Sequence, residues 1–451
     1  MTDNLDHAYD EYLKAKPVEA MQSIAAFQKK IAESELKYGK NSIPSFFKPL
    51  FLAPRQMHLV KRVTSSMQQV VNNAIRVYFE DNRFARYFRL TPEIEELVKI
   101  DPGYSSAVIF ARFDGILEGG RLKFAEFNCD SPVGAAYASL LSDHLLADPL
   151  FKAFAEEHAL EPFRPADDIL NALLSVYEEF GGFETPTIGI MDWKNVRTRP
   201  EFVLLQKRFE ERGYRTLIVD PRELTFKGGK LYSKETRVHL IYRRALVDEL
   251  ALQRDEIQDF LNAYRERAVC VVNPLRSAIG SHKGMLSILT HPYFDSFFTQ
   301  SENQIKHEHL PWTRQVADAE DFFGHQKMYL VDFLKDEKDS LVVKPSRKDT
   351  RREIRVGADT FDDIWNETIS WAMNENAVMQ EFVAVPTTTV PKVSDGKVDW
   401  DYKKYNFSAL AVAGKMCGAF SRLSDTNVIR VADQGGLIPA FWSDQTSDTF
   451  Q

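Results

Sequence analysis

The chain has 451 residues, 44% hydrophobic and 27% charged. This ordinary globular composition excludes a disordered protein, a collagen-like fibre and a disulfide-stapled mini-protein. At roughly 150 residues per domain, the length predicts about three globular units. With 57 basic against 65 acidic residues, the net charge of −8 excludes a general nucleic-acid coat and leaves room only for a local basic patch.

Cys129, Cys270 and Cys417 stand far apart, with no CxxC. An odd, scattered set argues against a disulfide framework and for a reducing, cytoplasmic setting. The opening MTDNLDHAYDEYLKAK is acidic and polar, unlike a secretory leader, and no apolar run reaches the roughly 18 residues of a membrane span. Neither a membrane nor a nucleic acid is expected as a partner.

Residues 1–104 read as a helical N-terminal region. Apolar positions recur every three or four residues in AMQSIAAFQKKIAESELKYG, with Gly39 as its stop, and again in LVKRVTSSMQQVVNNAIRVYFED. SIPSFFKPLFLAP, with three prolines, reads as a connector. The region suggests a helical scaffold or dimerisation arm and holds no site motif.

Residues 105–180 begin with SSAVIFARFDGILEGGRLKFAEFN, a strand, a Gly-Gly turn and a second strand. Val108, Phe110, Arg112 and Asp114 share one parity, and Leu122, Phe124, Glu126 and Asn128 share another. The two strands therefore aim Arg112, Asp114, Glu126 and Asn128 out of a sheet, onto one face if the register allows. A helix follows in AAYASLLSDHLL, with Ser131 as N-cap and Pro132 as first helical residue.

Residues 181–275 alternate strands (TPTIGIMDW, RTLIVD, VHLIYRR, AVCVVN) with a helix ending at Gly213 and a hairpin at Gly228-Gly229. This alternation predicts a parallel sheet. No GxGxxG follows a strand, so a dinucleotide site is unsupported. Residues 276–390 supply a helix after Asn273-Pro274, the strand SLVVKPS, the helix TFDDIWNETISWAMNE and the strand AVMQEFV. Residues 391–451 supply the antiparallel strands NFSALAVAG and KMCGAFSRLS and a Gly435-Gly436 turn, with 393–404 as the expected mobile surface loop.

Four sets of residues suit chemistry. Carboxylate and amide oxygens on Asp114, Glu126 and Asn128 suit a hard cation such as Mg²⁺, and Arg112 beside them can hold a phosphoryl group. The competing reading is a solvated hairpin face with structural ion pairs. Lys344 ends a buried strand and Lys283 stands near a helix start, both able to bind phosphates as point charges. Gln380-Glu381-Phe382-Val383 is a strand entering a hinge, able to offer polar groups to an adenine edge. Arg422, with Asn427 and Gly435-Gly436, is the fourth set. Cys129 reads as a small buried residue. The histidines form no HExxH or spaced cluster, and neither a GxSxG nor a Walker A loop is present.

The order of these sets resembles a circularly permuted ATP-grasp family, and within it the glutathionylspermidine synthetase-like branch. Arg112-x-Asp114, the twelve residues from Asp114 to Glu126, and Glu126-x-Asn128 carry the resemblance, with FARFDGILEGGRLKFAEFNCDSPVG its most specific stretch. NPLRSAIGSHKGMLSIL, LVVKPS, VMQEFV and GAFSRLSDTNVIRVADQGG follow in family order, so it covers roughly residues 105–440.

The resemblance implies an α/β (α+β) fold. It combines the helical region 1–104, metal-binding strands in 105–180, a pre-ATP-grasp βαβ unit over 181–275, a nucleotide lobe over 276–390 and the remaining strands over 391–451. It further implies that Asp114, Glu126 and Asn128 bind two Mg²⁺ ions bridging ATP phosphates. Arg112 and Arg422 would flank the transferred phosphoryl group, and Lys283 and Lys344 would hold ATP phosphates. Gln380, Glu381 and Val383 would line the adenine, and Ser131 would sit near a substrate carboxylate at a helix N-terminus.

The implied activity is ATP-dependent ligation of a small-molecule or peptide carboxylate to an amine. Where the family has a glycine-rich loop over the phosphates, this chain has SRKDTRREIRVG, with Arg347, Lys348, Arg351, Arg352 and Arg355. That departure leaves open a nucleotide-binding pseudoenzyme or scaffold and, behind it, a phosphotransferase. No thiol amidase domain accompanies the ligase motifs, so neither a glutathione nor a polyamine substrate follows, and the oligomeric state stays open.

Overall fold

The computed structural model describes residues 2–324, 326–345, 353–429 and 435–444. Two helices open the chain, α1 (Thr2–Lys14) and α2 (Pro17–Glu33), followed by a short strand β1 (Leu50–Leu52) and the long helix α3 (Pro54–Glu80). The next elements are β2 (Phe110–Glu118), β3 (Arg121–Asn128) and α4 (Ala135–Leu146). The parallel unit supplies β4 (Ile188–Met191), α5 (Arg199–Glu211), β5 (Thr216–Val219), β6 (Leu240–Arg243) and β7 (Cys270–Val272). Then follow β8 (Thr313–Gln315), β9 (Leu341–Pro345), β10 (Arg355–Val356), α6 (Asp362–Asn374) and β11 (Ala377–Glu381). The last strands are β12 (Thr387–Ser394), β13 (Lys397–Tyr405), β14 (Phe407–Val412), β15 (Lys415–Ser424) and β16 (Gly436–Ser443).

Three sheets position the site. The largest has nine strands, with β12-β13-β15-β14-β2-β3 in order and β16 joined to β15. The expected βαβ alternation forms a fully parallel sheet in the order β7-β6-β4-β5. Strands β4, β6 and β7 are buried end to end, as a sheet covered on both faces requires. A smaller antiparallel sheet, β8-β11-β9-β10, carries LVVKP and AVMQE.

The N-terminal region packs into the body of the fold. The stripe Val60, Val63, Met67, Val70, Val71 and Ala74 of α3 is buried in one core with Phe407, Ala409 and Ala411 of β14. The proline-rich connector contains β1, which pairs in parallel with Ala440–Trp442 of β16, so the two ends of the chain share a sheet. Gly39 does not close a helix. α2 ends at Glu33, and Gly39, with φ +66°, turns the chain between the short strands Lys37–Tyr38 and Asn41–Ser42.

Two further expectations fail for local reasons. Residues 393–404 are not a loop but lie in the hairpin β12–β13, paired from Thr387↔Lys404 to Ser394↔Lys397 around Asp395-Gly396. Both turn residues have positive φ, the conformation that a two-residue Asp-Gly hairpin turn demands. Gly436 is the first residue of β16 rather than part of a turn. A Cβ there would lie 2.6 Å from the Phe46 ring.

The β2–β3 pair aligns Arg112 with Asn128 and Asp114 with Glu126, so all four side chains leave one face. A bulge after Asp114 then pairs Gly115 with Phe124. The extra residue turns Phe124 and Leu122 away from Glu126 and Asn128, contrary to the shared parity expected of them. They join Phe113 and Phe127 in the core, with the Phe113 ring 5.5 Å from Phe124 and 5.0 Å from Phe127. One strand pair thus shows carboxylates on one side and aromatics on the other across a single irregularity.

Gly115 makes the bulge possible, because a Cβ there would lie 2.0 Å from the Lys123 carbonyl oxygen. Gly115→Ala is expected to lower unfolding stability by about 2 kcal/mol or more, measured by denaturant titration. A variant as stable as the wild type would show that the bulge does not govern this strand pair.

Candidate active site

The polar face of β2–β3 forms the floor of a cavity whose opposite wall is the β8-β11-β9-β10 sheet and the chain leaving it. Asp114, Glu126, Lys344, Gln380, Val383 and Arg422 line it, and Glu381 does so too. Residues from positions 114 to 429 thus meet in one place. Lys283 joins from beside it, its Nζ donating to Glu126 Oε1 at 2.6 Å.

Asp114 is the centre of the floor and is only 3% exposed. Arg112 grips it with two parallel bonds, Nε to Oδ1 and Nη2 to Oδ2, both 2.9 Å. Asn128 Nδ2 donates to Oδ2 at 2.9 Å, and Arg422 Nη2 lies 2.9 Å from the same oxygen. Burial pushes the carboxyl up, but the guanidiniums of Arg112 and Arg422 outweigh it and hold it below the usual carboxylate range. Burial pulls Arg422 below its ordinary value, and its buried Nε has no hydrogen-bond partner among the described residues. An orphaned guanidinium donor at a cavity wall suits an anion.

Lys344 is buried rather than an ordinary strand-end lysine. Its Nζ donates to Gln380 Oε1 at 2.6 Å and to the Ala125 carbonyl at 3.0 Å. Burial, with the nearby Lys283 charge, pushes the amine down to about 8. Gln380 in turn donates through Nε2 to Thr313 Oγ1 at 2.9 Å. The Gln380 amide is therefore occupied in a buried chain from Thr313 to Lys344. Glu381 is exposed, and its backbone N–H donates to the Trp312 carbonyl at 2.8 Å. Val383 lines the same wall.

Ser131 is not an N-cap. The helix starts at Ala135 behind Gly134, whose φ of +118° and a 2.5 Å approach to the Phe420 ring leave no room for a Cβ. The anion place at this N-terminus is filled from within. Glu201 Oε1 accepts from Gly134 N at 2.6 Å and Ala136 N at 3.4 Å, while Oε2 lies 3.1 Å from Arg244 Nη2. Ser131 does not line the cavity.

The basic loop falls mostly outside the described residues: Arg347, Lys348, Arg351 and Arg352 lie there, as do residues 430–434 ahead of Gly435-Gly436. Arg355, in β10, is described. Asn406 and Asn427 also line the cavity. Asn406 Oδ1 accepts the Arg422 backbone N–H at 3.0 Å, and Asn427 accepts from Lys404 at 2.6 Å. Asn427 was legible only as a neighbour of Arg422, and Asn406 carried no signal beyond standing before a strand.

Among the described residues, no group of three or more His, Cys, Asp or Glu side chains could hold a metal. A cation here would take the carboxylates of Asp114 and Glu126 and the amide oxygen of Asn128, hard donors whose chemistry suits Mg²⁺, in exchange for the contacts that Arg112, Arg422 and the Asn128 amide nitrogen make to Asp114 and Lys283 makes to Glu126. No described helix is long and apolar enough to cross a membrane.

No family model and no curated protein matches the chain. Among solved structures it is similar to a glutathione synthetase-like effector from Globodera pallida in its apo form. The TM-score is 0.61 at 11% identity, over 94% of this chain and 96% of the other. Weaker likenesses are to a putative gamma-glutamylcysteine synthetase from Methylobacillus flagellatus (TM-score 0.41, 11% identity, 81% and 83% covered) and to the ATP-grasp ligase PsnB complexed with minimal precursor, Mg and ADP (0.27, 13%, 58% and 91%). Of these, the first is close enough to show a common fold, and at that identity it shows the fold alone, a mixed α/β one.

The Lys344 amine gives a test of the site's burial. Its folded value of about 8 lies below the ordinary 10.5, so between the two the unfolded chain holds the proton more tightly, and stability rises with pH across that window. Comparing unfolding of the wild type and Lys344→Met at about pH 7.5 and about pH 10, the difference is expected to move in the wild type's favour by about 2 kcal/mol. A pH-independent difference would show the amine to be solvated.

Proposed function

We propose that the chain is an ATP- and Mg²⁺-dependent carboxylate–amine ligase built on a circularly permuted ATP-grasp fold of the glutathionylspermidine synthetase-like branch. In this reading 105–180 brings the metal strands, 181–275 the pre-ATP-grasp unit, 276–390 the nucleotide lobe and 391–451 the closing strands. The observation that supports it most is the charge inventory around one cavity. Arg112, Arg422, Lys283 and Lys344 meet three carboxylates, Asp114, Glu126 and the exposed Glu381. The surplus of one positive charge, on buried lysines and half-buried arginines, is arranged for a polyanion such as a nucleotide triphosphate.

Each residue then has a distinct role. Asp114, Glu126 and Asn128 would hold Mg²⁺, which when bound supplies charge neutralisation and orientation of the phosphates. Lys283 and Lys344 bind phosphate oxygens, and Val383 with the backbone at Glu381 borders the base. Arg112 and Arg422 stabilise charge on the phosphoryl group as it passes to the substrate carboxylate, releasing ADP. The amine then attacks the acyl carbonyl of the acyl phosphate. Inorganic phosphate leaves, the nitrogen loses a proton and an amide remains. Ser131 has no support as a catalytic residue, because Glu201 holds the place assigned to it.

ADP release over a panel of carboxylic acids and amines tests the reaction. Turnover should need both substrates, and hydroxylamine in place of the amine should yield a hydroxamate. Asp114→Ala combined with Glu126→Ala should lower turnover at least about 100-fold, whereas full turnover would remove the metal assignment. Binding of Mg²⁺·ATP without turnover on any pair would favour a pseudoenzyme. A stable phosphorylated product formed without amine would favour a phosphotransferase. Because a bound polyanion raises a buried lysine, Mg²⁺·ATP binding near pH 8.5 should take up a proton, read by calorimetry in buffers of different ionisation enthalpy. No uptake would exclude Lys344 from phosphate contact.

A further inference from the structure

The ladder between β2 and β3 ends at the pair Arg112↔Asn128. Beyond it the backbone groups of Ile109, Phe110, Cys129 and Asp130 still need partners, since buried peptide groups left unpaired are costly. Side chains from one distant segment, 273–283, bind all four N–H groups and the carbonyls of Phe110 and Cys129, while the Ile109 carbonyl goes to Gln68 and Ala413 and that of Asp130 to Arg243. Asn273 directly follows β7, an edge strand of the parallel sheet. Its Oδ1 accepts from Ile109 N at 3.0 Å and Phe110 N at 2.9 Å, and its Nδ2 donates to the carbonyls of Phe110 and Cys129, both at 2.7 Å. The residue is 1% exposed, and all four hydrogen-bonding positions of the amide are used. One side chain thus takes the place of the next rung of the ladder.

Ser281 completes the hold. Its Oγ accepts from Cys129 N at 2.7 Å and from Asp130 N at 2.8 Å. The N–H and the C=O of Cys129 are therefore both bound by side chains of this segment. Gly280 lets the segment come this close, because a Cβ there would lie 3.0 Å from the Cys129 Cβ. Two residues after Ser281, Lys283 reaches Glu126. The same short stretch touches β3 at residue 126 and just beyond its end, with Asn128 between the two points.

We infer that Asn273 and Ser281 are positioning residues for the cation set. They carry the rigidity of the parallel sheet to the end of β3 and thereby set where the Asn128 amide and the Glu126 carboxylate stand. This rests on the ligase reading above, but concerns residues outside its cavity. Displacement of a ligand by a fraction of an ångström is enough to weaken such a set, and loss of an outer partner of a metal ligand typically costs about 10- to 100-fold in metal affinity.

The test uses the full chain with Mn²⁺ and ATP, reading bound Mn²⁺ by electron paramagnetic resonance and ATP binding without metal by calorimetry. Ser281→Ala should weaken Mn²⁺ in the ATP complex about tenfold and alter its spectrum, leaving metal-free ATP binding within about twofold. Ser281→Thr, which keeps the hydroxyl, should restore both metal affinity and spectrum. A loss of packing alone would not be rescued in this way. If Ser281→Ala fails to melt cooperatively, Ser281→Cys, of similar volume but with a poor acceptor, carries the same comparison. A folded variant with wild-type Mn²⁺ affinity and spectrum overturns the inference and leaves the ligase reading standing. A wild type that does not bind Mn²⁺·ATP overturns the ligase reading and the inference with it.

Discussion

The buried carboxylate of Asp114 constrains the site more than any other group. Removing a carboxylate from water costs several kcal/mol unless its lone pairs are filled and its charge is met. Three strands meet that demand together, with Arg112 from β2 itself, Asn128 from β3 and Arg422 from β15. The donors can converge only if β15, β14, β2 and β3 are neighbours in that order and in this register. The carboxylate is therefore a check on the topology of the large sheet as well as a member of the site. The bulge opposite it, at Ala125, lets β3 return Phe124 to the core two residues before Glu126.

The rest of the cavity is a balance struck around that carboxylate. Lys344 is carried into a dry wall and loses part of its hold on its proton, with the oxygens of Gln380 and Ala125 as its hydrogen-bond partners. Among the described residues, Arg422 is left with an unused donor. Both are conditions that folding alone would not favour, since each leaves a cation short of compensation. On the proposed reading a polyanion in the cavity would relieve both, and such local conflicts gather where proteins bind ligands. Glu201, paired with Arg244, seals the start of α4, which closes the anion place that Ser131 and Pro132 had suggested.

Where the pattern was periodic it was legible. Alternation in FARFD and KFAEFN placed four polar side chains on paired strands, and the run of buried strands from Ile188 to Val272 read correctly as a parallel sheet. Where one residue changes the phase, alternation misled: Leu122 and Phe124 face away from Glu126 because of the bulge. At Asp395-Gly396 the polar composition of the flanking residues masked a genuine hairpin signal. The helix start was misplaced because Ser-Pro is a good opening locally, while the contact of Gly134 with Phe420, far along the chain, was invisible.

The amino-acid sequence by itself determined the chemical types and their order: carboxylates and an amide on one strand pair, then lysines, then a hinge, then an arginine. Short-range periodicity suffices for that, since side-chain direction within a strand depends on neighbours one and two residues away. Only the tertiary structure decided that these stretches meet in one cavity, that Lys344 is buried, and that Asn273 and Ser281 finish the ladder of β2 and β3. Those facts rest on contacts between residues more than a hundred positions apart, set by sheet order and packing rather than by any local propensity.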